Sequence, residues 1–228
     1  MIGYQDLTVF TQNTPIFEIC EKKFNISEPQ FKDVNNLIAQ ISNFYNFHDD
    51  NFVNFKNTIS KLSEAIRKKK QSLNFYVPGF AYQEIDKNNI SEDFKNLVLQ
   101  STISSNLFAS IECKNTKTSY FSLKGPHLPT SASERNNLIT SSGMNNAEIA
   151  FNKRPAIINN KLNRSVSTVT YLTKDNGIAN ILSDYLQRFE KSYENRHYIH
   201  YYVGEGMEEL EFIEATDNVK KLISEYSR

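Results

Sequence analysis

Glycine, cysteine, unbalanced charge and long apolar runs are what this chain has little of, and each shortage excludes something. The glycines number seven, scattered singly or in pairs. They build no Gly-rich loop feeding a helix N-terminus, so no phosphate cradle is expected. Lys plus Arg equals Asp plus Glu, 26 each, so no global field draws the chain to nucleic acid or anionic lipid. No apolar run is long enough to span a bilayer, which predicts no membrane association. The opening "MIGYQDLTVF" lacks the basic region and apolar core of a secretory leader. Cys20 and Cys113 form neither a ligand-spaced set nor a disulfide framework, which predicts two reduced thiols inside a cell.

What is present is enough sequence, 228 residues, to bury a sizeable core. "NISEPQFKDVNNLIAQISNFY" is the clearest helix. Ser27 can cap it, Pro29 suits its first turn, and Phe31, Val34, Leu37, Ile38, Ile41 and Phe44 recur at helical spacing. A second helix is predicted over "DDNFVNFKNTISKLSEAIR". "SLNFYVPGFAY" reads as a buried strand that breaks at Pro78-Gly79. "ISEDFKNLVLQST" is helical with Ser91 as its cap, "TSYFSLKG" alternates like a strand, and "TSASERNNLITSS" is a weaker helix ended by Gly143. "AEIAF" is a short strand. "SVSTVTYL", β-branched at every second position, is a strong one. Two helices close the chain, with apolar faces Ile178, Ile181, Leu182, Tyr185, Leu186, Phe189 and Val219, Leu222, Ile223, Tyr226. This order predicts an α/β (α+β two-layer) fold.

"HYIHYYVGEGMEELEFIEA", residues 197–215, concentrates aromatics, a Gly-x-Gly turn and carboxylates. His197 and His200 at i, i+3 suggest a metal pair, but spacing supplies no third ligand and a packed tyrosine-rich patch is the better reading. Glu205, Glu208, Glu209 and Glu211 resemble acid–base machinery less than the acidic start of a helix. The basic block "RKKK" at 67–70 reads as a solvated linker. No nucleophile–base set stands out, so no enzyme is required.

The residues "YIHYYVGEGMEELEFIEA" closely resemble the tubulin segment that links the last two long helices of that family. "NVKKLISEY" continues the likeness, nearer the beta than the alpha type. "LNFYVPGFA" is similar to the tubulin strand leading into the lateral-contact loop. "PIFEICEKKFNISEPQFKDVNNLI" resembles the start of the central helix and the residues before it. These anchors follow the family's order. The resemblance implies a tubulin central helix and intermediate domain with mixed sheet over 1–173, and a C-terminal helical hairpin over 174–228. It covers only the second half of a tubulin, without the nucleotide-binding half.

Several expectations follow from that resemblance. Phe31 falls where a family aromatic stacks on guanine, and Asn35 where an amide reads the base edge. Stacking and one amide cannot hold phosphates, so these are vestigial positions and no cofactor is expected. Phe31 also suits the core and Asn35 the helix surface. The loop "NFYNFHDDN" lacks the family's glycine, and the position of the activating acid of alpha tubulins falls at Asn54, an amide. The chain stops at "ISEYSR" without the family's long acidic tail. Residues 82–90 correspond to the lateral-contact loop, which nominates Tyr82, Gln83, Glu84, Lys87 and Asn88 as partner contacts. Tyr202, Glu205, Met207 and Glu208 are nominated on the 197–215 surface. There, inherited fold (aromatics packed, Gly204 and Gly206 turning, acids capping) and a retained contact role stay open alternatives.

The function so implied is a non-catalytic structural protein docking on alpha/beta tubulin or the microtubule lattice, beside other cytoskeletal or axonemal proteins. It would reside in cytoplasm and cytoskeleton, with a cilium, axoneme or basal body as the specific expectation. The alternatives are one half of a split tubulin-like GTPase, or a soluble regulator of tubulin assembly. An apolar patch around "TVF" and "IF", with Phe44, Phe47 and Phe52, is expected to demand a partner.

Overall fold

The computed structural model describes residues 5–42, 73–86, 88–112, 116–128, 131–141, 147–152, 156–158, 161–163 and 166–227. The expected helix at 49–67, the positions Phe44, Phe47, Phe52, Asn54, Lys87, Cys113 and Gly143, and the basic block lie outside these residues.

The chain opens with β1 (Gln5–Val9), α1 (Asn13–Phe24) and α2 (Phe31–Ser42), then β2 (Leu73–Glu84) and α3 (Ile90–Thr102). Next come a short 3-10 turn at Ser104–Asn106, β3 (Thr116–Lys124), α4 (Ala132–Ser141), β4 (Glu148–Asn152) and the small pair β5 (Ala156–Ile158) and β6 (Lys161–Asn163). Last are β7 (Val166–Asp175), α5 (Ile178–Glu194), α6 (Ile199–Gly204) and α7 (Glu209–Tyr226). The main sheet runs β1-β2-β7-β3-β4. Its edges pair in parallel and β7 is antiparallel to both neighbours, a mixed sheet. The α/β class is as the sequence predicts.

β7 occupies the middle of the sheet, and all ten of its residues are buried. Its β-branched residues suit a strand covered on both faces. The registers Gly79↔Tyr171↔Phe121 and Ala81↔Val169↔Leu123 put one parity on one face. That face joins Phe94, Leu97 and Val98 of α3 and Ile178, Ile181, Leu222 and Tyr226 of the C-terminal helices in one core cluster. Phe80, of opposite parity, packs instead with Ile16, Ile19 and Cys20 of α1 and Val34, Leu37 and Ile41 of α2. β2 therefore contributes to two cores.

Three local expectations are corrected. β2 does not break at Pro78-Gly79 but runs on to Glu84. The Pro78 carbonyl faces away from β7 and accepts the Phe108 N–H at 2.8 Å, so the N–H that proline lacks falls on that same side and no bond to β7 is lost. Gly79 is needed for closeness: a Cβ there would sit 2.3 Å from the Ser101 carbonyl oxygen of α3. Ser27 does not cap α2; the Asp33 carboxylate accepts the Gln30 N–H at 2.9 Å. Ser91 lies inside α3, whose entry is shaped by Asp93 accepting the Asp86 N–H at 2.8 Å.

Candidate partner-contact surfaces

α5 and α7 pair with each other, and their far ends form an aromatic knot. Phe212 of α7 is its buried centre, with Phe189 at 6.3 Å, Tyr193 at 5.6 Å and Tyr202 edge-on at 5.9 Å between ring centroids. Arg196 donates to Glu209 at 2.5 Å and Lys220 pairs with Glu190 at 2.9 Å, tying the two helices at their surfaces. The turn between α5 and α6 is unusual. Arg196 (φ 52) and Tyr198 (φ 64) both take left-handed conformations that non-glycine residues avoid.

The aromatics of this segment lie against one another yet stay largely exposed. Tyr198, Tyr201 and Tyr202 keep 69%, 64% and 55% of their surface, and Val203, Leu210 and Ile213 are exposed too. Only Ile199 of α6 is buried. Tyr202 touches Phe212 through an edge and offers the remainder of its ring to solvent. The His200 ring lies against Tyr201 at 4.1 Å. Gly204 is the last residue of α6, with open space around it, so it is not a turn glycine; Gly206 (φ 99) alone makes that turn. Glu205 follows α6, Met207 is half-buried, and Glu208 is the N-cap of α7 without a side-chain cap bond. Glu209 and Glu211 occupy α7's first turn, where carboxylates suit the helix dipole. Glu205, Glu208, Glu211 and Glu214 are exposed without an ion pair among the described residues.

The second nominated surface is more committed to the fold. Tyr82, Gln83 and Glu84 are residues of β2, not of a loop. The Tyr82 hydroxyl donates to the Lys23 carbonyl at 2.7 Å and its ring stacks on Phe24 at 5.1 Å; burial pushes its pKa up. Gln83 is half-buried, Glu84 is exposed, and Asn88 is an exposed turn residue whose N–H reaches Asp86 at 3.0 Å.

The two guanine-contact positions share one outward face at the start of α2. Phe31 is 64% exposed rather than core, with Phe17 edge-on to it at 5.4 Å. Asn35 is exposed one turn later. The adjacent cavity of about 250 Å³ is lined from the other side of α2, by Lys32, Asp33, Asn36, Leu37 and Gln40 with Cys20, Phe24 and Ile26. Burial, helped by Asp33, pushes the Cys20 thiol up. Of the apolar patch expected near the N-terminus only part lies among the described residues: Ile16 is fully buried and Phe10 packs on Phe75, while Val9 is exposed. Among the described residues most of the exposed large apolar side chains lie on the C-terminal helices. Among the described residues no group of three or more His, Cys, Asp or Glu could hold a metal, and no helix is long and apolar enough to cross a membrane.

The described residues form a mixed sheet backed by helices and closed by a helical pair that carries an outward aromatic turn. The tubulin alpha-2 chain of Emericella nidulans is 26% identical over 243 residues, covering 99% of this chain and 53% of its own length. The tubulin alpha-A chain of Neurospora crassa is 27% identical over 249 residues, 99% and 54% of the two lengths. The tubulin beta chain of Saccharomyces cerevisiae is 21% identical over 247 residues, 100% and 51%. No protein-family model matches the chain. The protein is tubulin-like along almost all of its residues, and it spans about half the length of the curated relatives it matches.

Proposed function

We propose that this chain is a non-catalytic, tubulin-like structural protein that docks on alpha/beta tubulin or the microtubule lattice through the α6–α7 surface. The observation that carries this reading is Tyr198, held in a strained backbone conformation with most of its ring in water. Within the chain the strained residue gains only ring contacts with its neighbours Tyr201 and His197, and strain held at an exposed aromatic points to a contact made with something else. Tyr201, Tyr202, Leu210 and Ile213 extend the same exposed surface, and exposed tyrosines are strong interface anchors. The kinship with tubulin chains supplies the partner. The reading places the protein in cytoplasm and cytoskeleton, and more specifically in a cilium, axoneme or basal body beside other axonemal proteins.

Co-sedimentation with microtubules assembled from purified tubulin tests it. The chain should pellet saturably without raising GTP hydrolysis above that of the microtubules. The triple variant Tyr198→Ala/Tyr201→Ala/Tyr202→Ala should bind at least about tenfold more weakly, a loss of ~1.4 kcal/mol. Failure of the wild-type chain to pellet defeats the reading, and substoichiometric inhibition of assembly would recast it as a soluble regulator. One observation favours a second reading. The outward Phe31 and Asn35 stand ready for a chain that supplies phosphate contacts, as in a split GTPase. Guanine nucleotide co-purifying with a defined two-chain complex would establish that case.

A further inference from the structure

α5 and α7 are rooted in the main core only at one end. Ile178, Ala179, Ile181 and Leu182 of α5, and Leu222, Ile223 and Tyr226 of α7, belong to it; no residue between 183 and 221 belongs to either core cluster. At the rooted end the Tyr226 hydroxyl accepts the Phe75 N–H at 2.6 Å. Beyond it, the only hydrogen bond among the described residues that joins 183–221 to residues outside the C-terminal helices is Gln12 Nε2–H to the Tyr185 hydroxyl, 2.9 Å.

Gln12 is placed unusually for such a tie. It is the N-cap residue of α1, yet its side chain makes no cap bond, although capping is the ordinary use of a polar side chain there. Its Oε1 instead accepts the Ser110 N–H at 2.8 Å, and its own N–H donates to the Phe108 carbonyl at 2.7 Å. The Phe108 N–H in turn holds Pro78 of β2. One residue at the start of α1 thus ties the middle of α5 to Ser110 through its side chain, and to β2 through its backbone and Phe108.

We propose that Gln12 is a positioning residue, a latch that sets the angle of the C-terminal helical pair, whose tyrosine-bearing end is a lever pivoting on its rooted first turn, Ile178 to Leu182. The lever lengthens quickly past the latch. The residues of α5 after Tyr185 span roughly 14 Å, so a swing of about 15° moves the tip by ~4 Å. The latch is one neutral hydrogen bond to a side chain that is 45% exposed, weak enough to open without unfolding the root. This inference concerns the chain alone and does not depend on the docking reading.

The test is the distance between nitroxides on Asn137→Cys of α4 and Glu214→Cys of α7, both exposed, in full-length chain with the native cysteines replaced by alanine. Pulsed electron resonance should give one narrow distance for the parent. Gln12→Ala and Tyr185→Phe should each shift or broaden it by several ångström, and the double variant should add nothing further. Gln12→Glu should restore the narrow peak, because one carboxylate oxygen accepts the Ser110 N–H and the other the Tyr185 hydroxyl. A general loss of stability would not be rescued in this way. Tyr185→Phe removes a single oxygen, so the test survives if Gln12→Ala does not fold. Superimposable distances in all variants overturn the latch, whatever their melting temperatures. So does a shift in Gln12→Ala that Tyr185→Phe fails to reproduce.

Discussion

Tyr198 holds φ 64 while 69% of its surface stays in water. A left-handed residue of this kind costs roughly 1–2 kcal/mol, of which glycine recovers the steric part but loses about 0.5–1 kcal/mol in chain entropy. Tyr198→Gly should therefore be as stable as the parent or up to ~1 kcal/mol more stable in urea unfolding, while pelleting less well with microtubules. A stability loss above 1 kcal/mol would mean that the ring packs after all. Tyr226 shows the opposite economy. Burial pushes its hydroxyl up to about 12, only partly offset by the bond from the Phe75 N–H. The fold favours the protonated form, so this stabilisation is complete below pH 10 and disappears as pH rises toward about 12. Tyr76 is shifted upward by burial as well and adds to the same trend. Tyr226→Phe should flatten the fall in urea midpoint across that window, removing at most about 3 kcal/mol of pH dependence. It should also cost about 1 kcal/mol at neutral pH for the unanswered Phe75 N–H.

Among the elements, β2 and α3 make the closest approach. Because a Cβ on Gly79 would meet backbone oxygen rather than a flexible side chain, Gly79→Ala should destabilise by roughly 1–3 kcal/mol. A urea midpoint equal to the parent's would show that α3 can retreat. α4 starts with a reciprocal box, the Glu134 N–H to Ser131 Oγ and the Ser131 N–H to Glu134 Oε2, each 3.2 Å. Elements of this kind differ in how plainly the sequence announces them. β7 and α5 stand out because alternation and a three-to-four spacing persist over many residues. β1, β5, β6 and α6 are too short to carry a period, and β1 depends on a parallel partner far along the chain. Pro78 reads as a breaker because nothing local says which side of the strand its missing donor faces. Phe31 has the right spacing for the core, but the sequence does not reveal that the described residues leave it 64% exposed. The residues of 197–215 single that segment out in the sequence. Its exposure is not legible there, since that depends on how far α5 and α7 extend past the core that roots them.

For the molecule as a whole, β2 gives one parity of side chains to each core, Val77 and Ala81 to one and Phe80 to the other. Neither core can dissolve without removing a wall of the other. Unfolding should therefore be a single transition, with far-ultraviolet circular dichroism and tyrosine fluorescence coinciding in urea. Two separated midpoints would show that the cores melt independently. The strand order also has a consequence in time. β2 and β3 meet only through β7, which follows them both in the chain. While the polypeptide is being made, each presents an unpaired edge until residue 175 has emerged, and a parallel neighbour on the outer side does nothing to cover it. Such edges invite pairing with other chains. The newborn protein thus passes through a long vulnerable interval before its last-made strand closes the sheet, and its yield in a cell should depend on what shields it during that wait.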